Sequence, residues 1–415
     1  MQTFLPERLA GSEADEILRS CVHCGMCNAT CPTYQVERNE LDGPRGRIYL
    51  IKQLLEEQPV TEITRHHLDR CLTCQACETT CPSGVQYHRL LDLGREELEQ
   101  RLPRRGWPAL QRRLLRVVLS RRRLVVPLVA LGRLCRALLP GSLRGHLPLR
   151  RPRIEATNSR HERRVILVQG CVQPALSPTT NEAAVKVLDA LGIAALTLPG
   201  ETCCGALAHH SDGQAQARAQ ARRNIDAWWP SIEAGAEAIV MTASGCSNFV
   251  QDYDRLLADD PAYAERARRV IGLLRDISEV LVNEDLESLK IDSGTRIAWH
   301  CPCTAQHGQA LDAPTRRVLE RLGHTLPPVR DSHLCCGSAG SYSLLQPAMS
   351  TELRGRKLEA LEESRPDQIV TANIGCQTHL AAGTETPVVH WIELVARSLG
   401  STMSGPGSEK SQDHV

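Results

Sequence analysis

Two groups of four cysteines stand near the start of the chain with the spacing of cluster ligands. Cys21, Cys24, Cys27 and Cys31, followed by Pro32, recur fifty residues on as Cys71, Cys74, Cys77 and Cys81, followed by Pro82. Three cysteines at three-residue steps wrap a short turn, so their thiolates converge on three corners of an iron-sulfur cubane. The fourth, with its Pro, leaves that turn and ligates the other cluster in two-cluster ferredoxins. The pattern therefore predicts one [4Fe-4S] cluster on Cys21, Cys24, Cys27 and Cys81 and a second on Cys71, Cys74, Cys77 and Cys31. Structural zinc uses four ligands in two pairs and has no use for the third step or the Pro. The chemistry implied is one-electron transfer.

A second set of cysteines recurs with a longer period. Cys171, Cys203, Cys204 and Cys246 are matched by Cys303, Cys335, Cys336 and Cys376, at offsets of 132, 132, 132 and 130 residues, and both pairs of adjacent cysteines are followed by Gly. Buried cysteines scattered through a core pack well as small apolar groups, but they have no reason to recur in register. The alternative is a thiolate-rich pocket in each repeat, holding a further cluster or forming a redox thiol site. Spacing does not choose between these two. Cys135 and Cys301 fall outside the repeat, and Cys135 is read as an ordinary core or surface residue.

The elements that must position these groups are legible from periodicity. Between the first two motifs, Ile48, Ile51, Leu54 and Leu55 fall at helical spacing after the turn Gly43-Pro44-Arg45-Gly46, which predicts a helix separating the two cysteine loops. In the second half, the apolar runs 165–168, 239–242, 297–299 and 369–371 each precede a repeat cysteine and read as buried parallel strands. Ligands in open parallel sheets gather beyond the carboxyl ends of the strands, which is where those thiols would fall. Val187, Leu188, Leu191 and Gly192 correspond to Val318, Leu319, Leu322 and Gly323, each set ending a helix at a Gly. The fold class predicted is α/β overall, with a small, mainly helical, two-[4Fe-4S] ferredoxin-type domain followed by two duplicated α/β units with short parallel sheets. The expected boundaries are 1–99 for the cluster domain, 100–160 for a basic amphipathic linker, 161–290 and 291–399 for the two repeats, and 400–415 for a flexible tail of Ser, Gly and charge.

Length and composition allow several domains of ordinary soluble protein: 415 residues, 42% hydrophobic and 23% charged. The net charge of +1 hides an asymmetry, because residues 100–154 hold 15 Arg and no acid. Leu and Val interleave with Arg112, Arg113, Arg116, Arg121, Arg122 and Arg123, and Trp107 stands near the start, the pattern of an interfacial helix drawn to anionic lipid. An acidic partner subunit would be served by the same face, whereas nucleic acid is disfavoured without interleaved aromatics. The first ten residues have neither the basic start nor the apolar run of a secretion signal, which predicts a cytosolic protein with reduced thiols. The longest apolar run, 124–132, is about half of what a membrane-spanning helix needs. Neither a dinucleotide fingerprint nor a phosphate-binding loop occurs, so flavin and NAD are expected on a partner rather than here, and no catalytic residue is assigned. The pairs His66-His67 and His209-His210 are read as surface residues, since neighbours face opposite ways on a regular element.

With CVHCGMCNATCP, CLTCQACETTCP, the intervening ELDGPRGRIYLIKQ and the two Cys-Cys-Gly repeats, the sequence resembles the iron-sulfur subunits of bacterial glycolate oxidases (glycolate dehydrogenases) over almost its whole length. That resemblance implies an electron-transfer subunit working beside FAD-containing subunits that oxidise glycolate to glyoxylate. It also implies a peripheral complex on the cytoplasmic side of the inner membrane that delivers electrons to the quinone pool. The same architecture would serve a lactate or anaerobic glycerol-3-phosphate dehydrogenase, and a non-redox scaffold held folded by its metals is the third reading. The Cys-Cys-Gly repeats also resemble those of heterodisulfide reductase, whose module ends in C-x-x-C and binds a non-cubane cluster. Here Phe249 and His379 stand three positions after Cys246 and Cys376, so the fifth thiolate is absent from both copies.

Overall fold

In the computed structural model, which describes residues 1–138, 153–156, 159–289 and 294–399, a helical N-terminal third precedes two short parallel sheets. The expected tail, and residues 139–152 of the basic stretch, lie outside the described residues. Helix α1 (Glu13–Ser20) starts where the Ser12 side chain accepts from the Asp15 N–H, with three acids in its first turn as the helix dipole favours. Helices α2 (Pro32–Glu37) and α3 (Pro44–Leu55) each begin on a proline, whose missing N–H is no loss in a first turn. Helices α4 (Glu62–Asp69), α5 (Ala76–Thr80) and α6 (Tyr87–Arg101) follow.

The helix expected between the cysteine loops is α3, and its Ile48, Ile51, Leu54 and Leu55 share one core with Leu90, Leu91 and Leu98 of α6. Gly94 permits that approach, since a Cβ there would stand 2.8 Å from Ile51 Cγ1. Burying each such aliphatic side chain is worth roughly 1.5–3 kcal/mol, so this pair of helices is the frame that holds the loops on either side.

Helices α7 (Gly106–Leu119) and α8 (Arg122–Leu134) form the arginine-rich stretch. Val125 and Val129 of α8 pack on Ala175, while Trp107, Leu110 and Leu114 of α7 and Leu128, Leu131 and Leu134 of α8 are exposed. The arginines divide, which corrects the expectation of one basic face. Arg113 and Arg121 to Arg123 are exposed. Arg104 instead bridges Asp69 at 2.5 Å, Glu99 at 2.7 Å and Asp212 at 2.6 Å, and Arg112 reaches Asp69 at 2.9 Å. Arg116 donates to the Ser211 carbonyl. These three tie the N-terminal helices to the loop behind Cys203 and Cys204.

The first sheet contains β1 (Arg163–Leu167), then α9 (Pro178–Ala190), β2 (Ile193–Leu196), α10 (Gln214–Glu233), β3 (Ala238–Met241), α11 (Ser244–Val250) and β4 (Leu274–Asp276), with strand order β2-β1-β3-β4, all parallel. The second contains β5 (Ile297–His300), α12 (Asp312–Arg321), α13 (Pro347–Glu362), β6 (Gln368–Thr371), α14 (Ile374–Ala381), β7 (Val388–His390) and α15 (Trp391–Ser398), with order β5-β6-β7. Strands β1, β3, β5 and β6 are the four anticipated runs, within a residue or two. Among the described residues the second sheet has no counterpart of β2. The chain reaches Leu326 after Gly323 but then places Pro327 and Pro328, which have no N–H to give a ladder. The two repeats share one interior, where Val187 and Leu188 of α9 meet Trp391, Ile392 and Val395 of α15 and Trp299 of β5.

Candidate metal centres

The two N-terminal loops repeat the same backbone path. His23 and Gly25 after Cys21, and Thr73 and Gln75 after Cys71, all hold left-handed φ angles between 53° and 83°. For three non-glycine residues that is a strained state, and such states persist where a site over-determines them. The path brings Cys21, Cys24 and Cys27 together. Cys31 and Cys81 each depart from their own loop, Cys31 as the N-cap of α2 and Cys81 as the residue that ends α5.

Two cavities result. One is lined by Cys21, Cys24, Cys27 and Cys81, with Cys77 on its wall; the other is lined by Cys31, Cys71, Cys74 and Cys77. The second cavity thus takes three thiols from its own loop and Cys31 from the other, and the first takes Cys21, Cys24 and Cys27 from its own loop and meets both Cys77 and Cys81 of the other. Burial, followed by the neighbouring Cys21 and Cys81, pushes the Cys27 thiol up to about 11. Cys74 and Cys77 are pushed well up, first by burial and then by neighbouring thiols. Thiols packed this way ionise only if a cation joins them, and iron is such a cation. The donor chemistry of both cavities therefore fits iron-sulfur clusters.

The second cavity rests on a buried charge network. Arg47 donates to the His67 carbonyl at 2.7 Å and to Thr33 Oγ1 at 3.1 Å, and its Nη2 lies 3.4 Å from Asp42 Oδ1. Asp42 is fully buried and also meets His67 Nδ1 at 3.1 Å and Arg70 Nη1 at 3.0 Å. The surface reading of the histidines is corrected here for His67 and His209, while His66 is exposed as expected. His67 is buried in this network, and His209 pairs with Asp92 Oδ2 of α6 at 3.0 Å. His209 ends a four-residue helix and His210 follows as its cap, so the rule of opposite faces does not separate them: one nitrogen of each lies within 4.8 Å of an Asp92 oxygen.

In the first repeat the Sγ atoms of Cys171 and Cys203 lie 3.4 Å apart, and Cys204 stands between Cys203 and Cys246, which push its thiol well up. Gly205 turns the pair inward at φ +105°, with the position of a Cβ only 2.9 Å from Phe249. Asn224 donates to the Cys203 carbonyl at 3.1 Å and Tyr253 to the Cys204 carbonyl at 2.6 Å, fixing the turn. In the second repeat Cys303 Sγ lies 3.8 Å from Cys335 Sγ, and Ser350 holds the Gly337 carbonyl at 2.7 Å. Cys336 and Cys376 belong to one buried cluster with Ala298. The structure thus brings the four cysteines of each repeat together. Cys135 is half-buried at the end of α8, and Cys301 is buried in the shared core. Sequence reading passed over His300, at the end of β5, whose only signal is its place three residues before Cys303. Burial, with Lys357 adding to it, pushes His300 well below its ordinary value, so its ring is neutral.

The second N-terminal cavity abuts the second repeat. Leu72 and Cys74 pack in one cluster with Cys303, Cys335, Tyr342, Met349 and Leu353, and Tyr342 Oη donates to the Arg70 carbonyl at 3.0 Å. Thr79 meets His307 Nδ1 at 2.9 Å on the same border.

Comparison with known proteins agrees with this layout. Residues 17–85 match the 4Fe-4S dicluster domain, and residues 165–251 and 297–381 each match the cysteine-rich CCG domain. The chain is 52% identical over 404 residues to the glycolate oxidase iron-sulfur subunit of Escherichia coli (strain K12), covering 96% of this chain and 99% of the relative. It is 30% identical over 447 residues to the probable glycolate oxidase iron-sulfur subunit of Bacillus subtilis (strain 168), covering 97% and 98%. Lactate utilization protein A of Exiguobacterium is 25% identical over 56% of this chain and 96% of its own length. Among solved structures, a hypothetical protein from Helicobacter pylori superimposes with a TM-score of 0.57 at 10% identity, over 96% of this chain and 73% of that one, which shows a shared fold.

Proposed function

We propose, from the premise that this chain belongs to the family of glycolate oxidase iron-sulfur subunits, that it is the electron-transfer subunit of a flavoenzyme complex oxidising glycolate to glyoxylate. Substrate and flavin chemistry fall to partner subunits carrying FAD, and no catalytic residue is assigned here. The observation that carries the electron-transfer role is the border where Cys74 packs with Cys303 and Cys335, which makes the N-terminal cavities and the second repeat a continuous run of thiol-lined sites. Cys21, Cys24, Cys27 and Cys81 would hold one [4Fe-4S] cluster, and Cys71, Cys74, Cys77 and Cys31 the other. Bound there, the clusters would supply one-electron carriers whose potentials the surrounding charges set. The chain's own part is to keep them a short distance apart, exclude water and fix their ligands. The repeat cysteines, four in each copy, would hold a further centre.

The lactate utilization relatives match only about half of the chain, and more weakly, so glycolate is the favoured donor over lactate or glycerol 3-phosphate. No helix among the described residues is long and apolar enough to cross a membrane. Attachment to the cytoplasmic face of the inner membrane is assigned to the exposed Leu128, Leu131 and Leu134 with Arg121 to Arg123, shallow insertion and charge acting together. Electrons would pass from there to membrane quinone.

The test is deletion of this chain alone, followed by quinone or dye reduction in membranes supplied with glycolate, lactate or glycerol 3-phosphate. Loss confined to glycolate supports the assignment. Unchanged glycolate-dependent reduction rejects it, and loss confined to lactate moves the chain to the alternative substrate.

A further inference from the structure

Strand β5 presents alternate residues to opposite sides of its sheet. Ile297 and Trp299 enter the core shared by the two repeats, while Ala298 enters the smaller cluster that contains Cys336 and Cys376. His300 follows Ala298 on that second side. Its ring is 2% exposed, and its Nε2 has no hydrogen-bond partner among the described residues. One imidazole nitrogen and the Sγ atoms of Cys336 and Cys376 all lie within 4.8 Å of one another. A polar nitrogen sealed from water without a partner costs about 1–3 kcal/mol, and native interiors seldom keep one. A metal ion among the three donors would give the sealed imidazole a partner.

Among the described residues the first repeat offers no equivalent group. Val168 stands 132 residues before His300, matching the offset of Cys171 and Cys303, and it packs beside Cys203 and Cys204. One repeat therefore surrounds its thiols with apolar groups, and the other adds a nitrogen donor. An imidazole also supplies a further donor where the C-x-x-C ending is missing, since Cys376 is followed three residues later by His379 rather than by cysteine.

We infer that His300 is a nitrogen ligand, beside Cys336 and Cys376, of a metal centre confined to the second repeat, and that the first repeat offers thiols alone. The inference rests on the reading above that the repeat cysteines hold a metal. A mixed imidazole and thiolate set suits an iron-sulfur centre or zinc, and the test treats both.

Full-length protein labelled with ¹⁵N-histidine would be loaded anaerobically with ferrous iron and sulfide, or with Zn²⁺ alone. Metal is then counted in the wild type, in Cys336→Ser/Cys376→Ser and in His300→Val, which copies the first repeat. Histidine nitrogen bound to metal is read from pulsed EPR of the reduced iron form and from X-ray absorption of the zinc form. The expected result is a histidine nitrogen signal in the wild type that is absent from His300→Val, with metal retention against a chelator weakened about tenfold or more. Loss of metal in the cysteine variant, together with a wild type lacking that signal, overturns the role of His300 and leaves the cysteine reading standing. Unchanged metal content in the cysteine variant overturns both.

Discussion

The guanidinium of Arg47 places Nη1 4.0 Å from the Sγ of Cys31, with both residues buried. Arg47 is thus the fixed positive charge nearest the one thiol that reaches the second cavity from the first loop. Its removal would leave Asp42, itself fully buried, with one cation fewer. Breaking a buried pair from one side costs about 3–5 kcal/mol, so Arg47→Met is expected to lower unfolding stability by that amount in anaerobic denaturant titrations. The milder Arg47→Lys is expected to fold and to shift the midpoint potential of one N-terminal cluster only, read by EPR at controlled potential. Equal shifts in both clusters would contradict the geometry.

The crossing of Cys31 and Cys81 between cavities makes a second, opposite pair of outcomes. Cys31→Ser is expected to damage the cluster held with Cys71, Cys74 and Cys77 and to spare the one beside Cys21. Cys81→Ser is expected to do the reverse. Iron and sulfide analysis with EPR of the reduced protein would separate the two, and a cluster lost together with its own sequence neighbours would refute the exchange.

His390 sets a pH dependence. It ends β7, donates from Nε2 to the Thr242 carbonyl of the first repeat at 2.8 Å, and accepts at Nδ1 from the Ile392 N–H at 3.2 Å. Burial lowers it to about 4. A depressed histidine contributes its full stability above the unfolded value of about 6.5 and loses it as pH falls towards 4, a span worth about 3 kcal/mol. Asp276, pushed up to about 6 by burial, works in the opposite sense over the same range, losing stability as pH rises. The comparison with His390→Asn isolates the histidine. That variant, which keeps a side-chain cap, is expected to be less sensitive to acid between pH 6.5 and 4 in unfolding titrations, and an unchanged slope would exclude His390 as the source.

For membrane attachment, each exposed Arg near an anionic surface is worth at most about 1 kcal/mol. Changing Arg121, Arg122 and Arg123 together to Gln is expected to weaken flotation with anionic vesicles by up to about a hundredfold at low salt, while both N-terminal clusters stay intact. Leu128→Ser/Leu131→Ser is expected to weaken the part that survives high salt. Unaltered vesicle binding with loss of co-purification with the flavin subunits would make this face a docking surface for protein instead.

The arrangement of each cysteine loop was legible in the sequence because ligand spacing within one turn is a local property of the chain. So were β1, β3, β5 and β6, whose apolar runs each precede a repeat cysteine, and the repeat itself, which depends only on register. The short edge strands β2, β4 and β7 were not anticipated, since their pairing is decided by the strands beside them. Arg104 and Arg112 looked the same in sequence as Arg121 to Arg123, yet the first two are turned inward by Asp69 and Asp212, an acid more than a hundred residues away in the chain. The burial of His67, the pairing of His209 with Asp92, the turn of His300 towards Cys336 and the meeting of Cys74 with Cys303 share that origin. Spacing along a chain encodes what a turn brings together, whereas contacts between residues hundreds of positions apart follow from which faces of helices and sheets pack, and packing decides that in three dimensions.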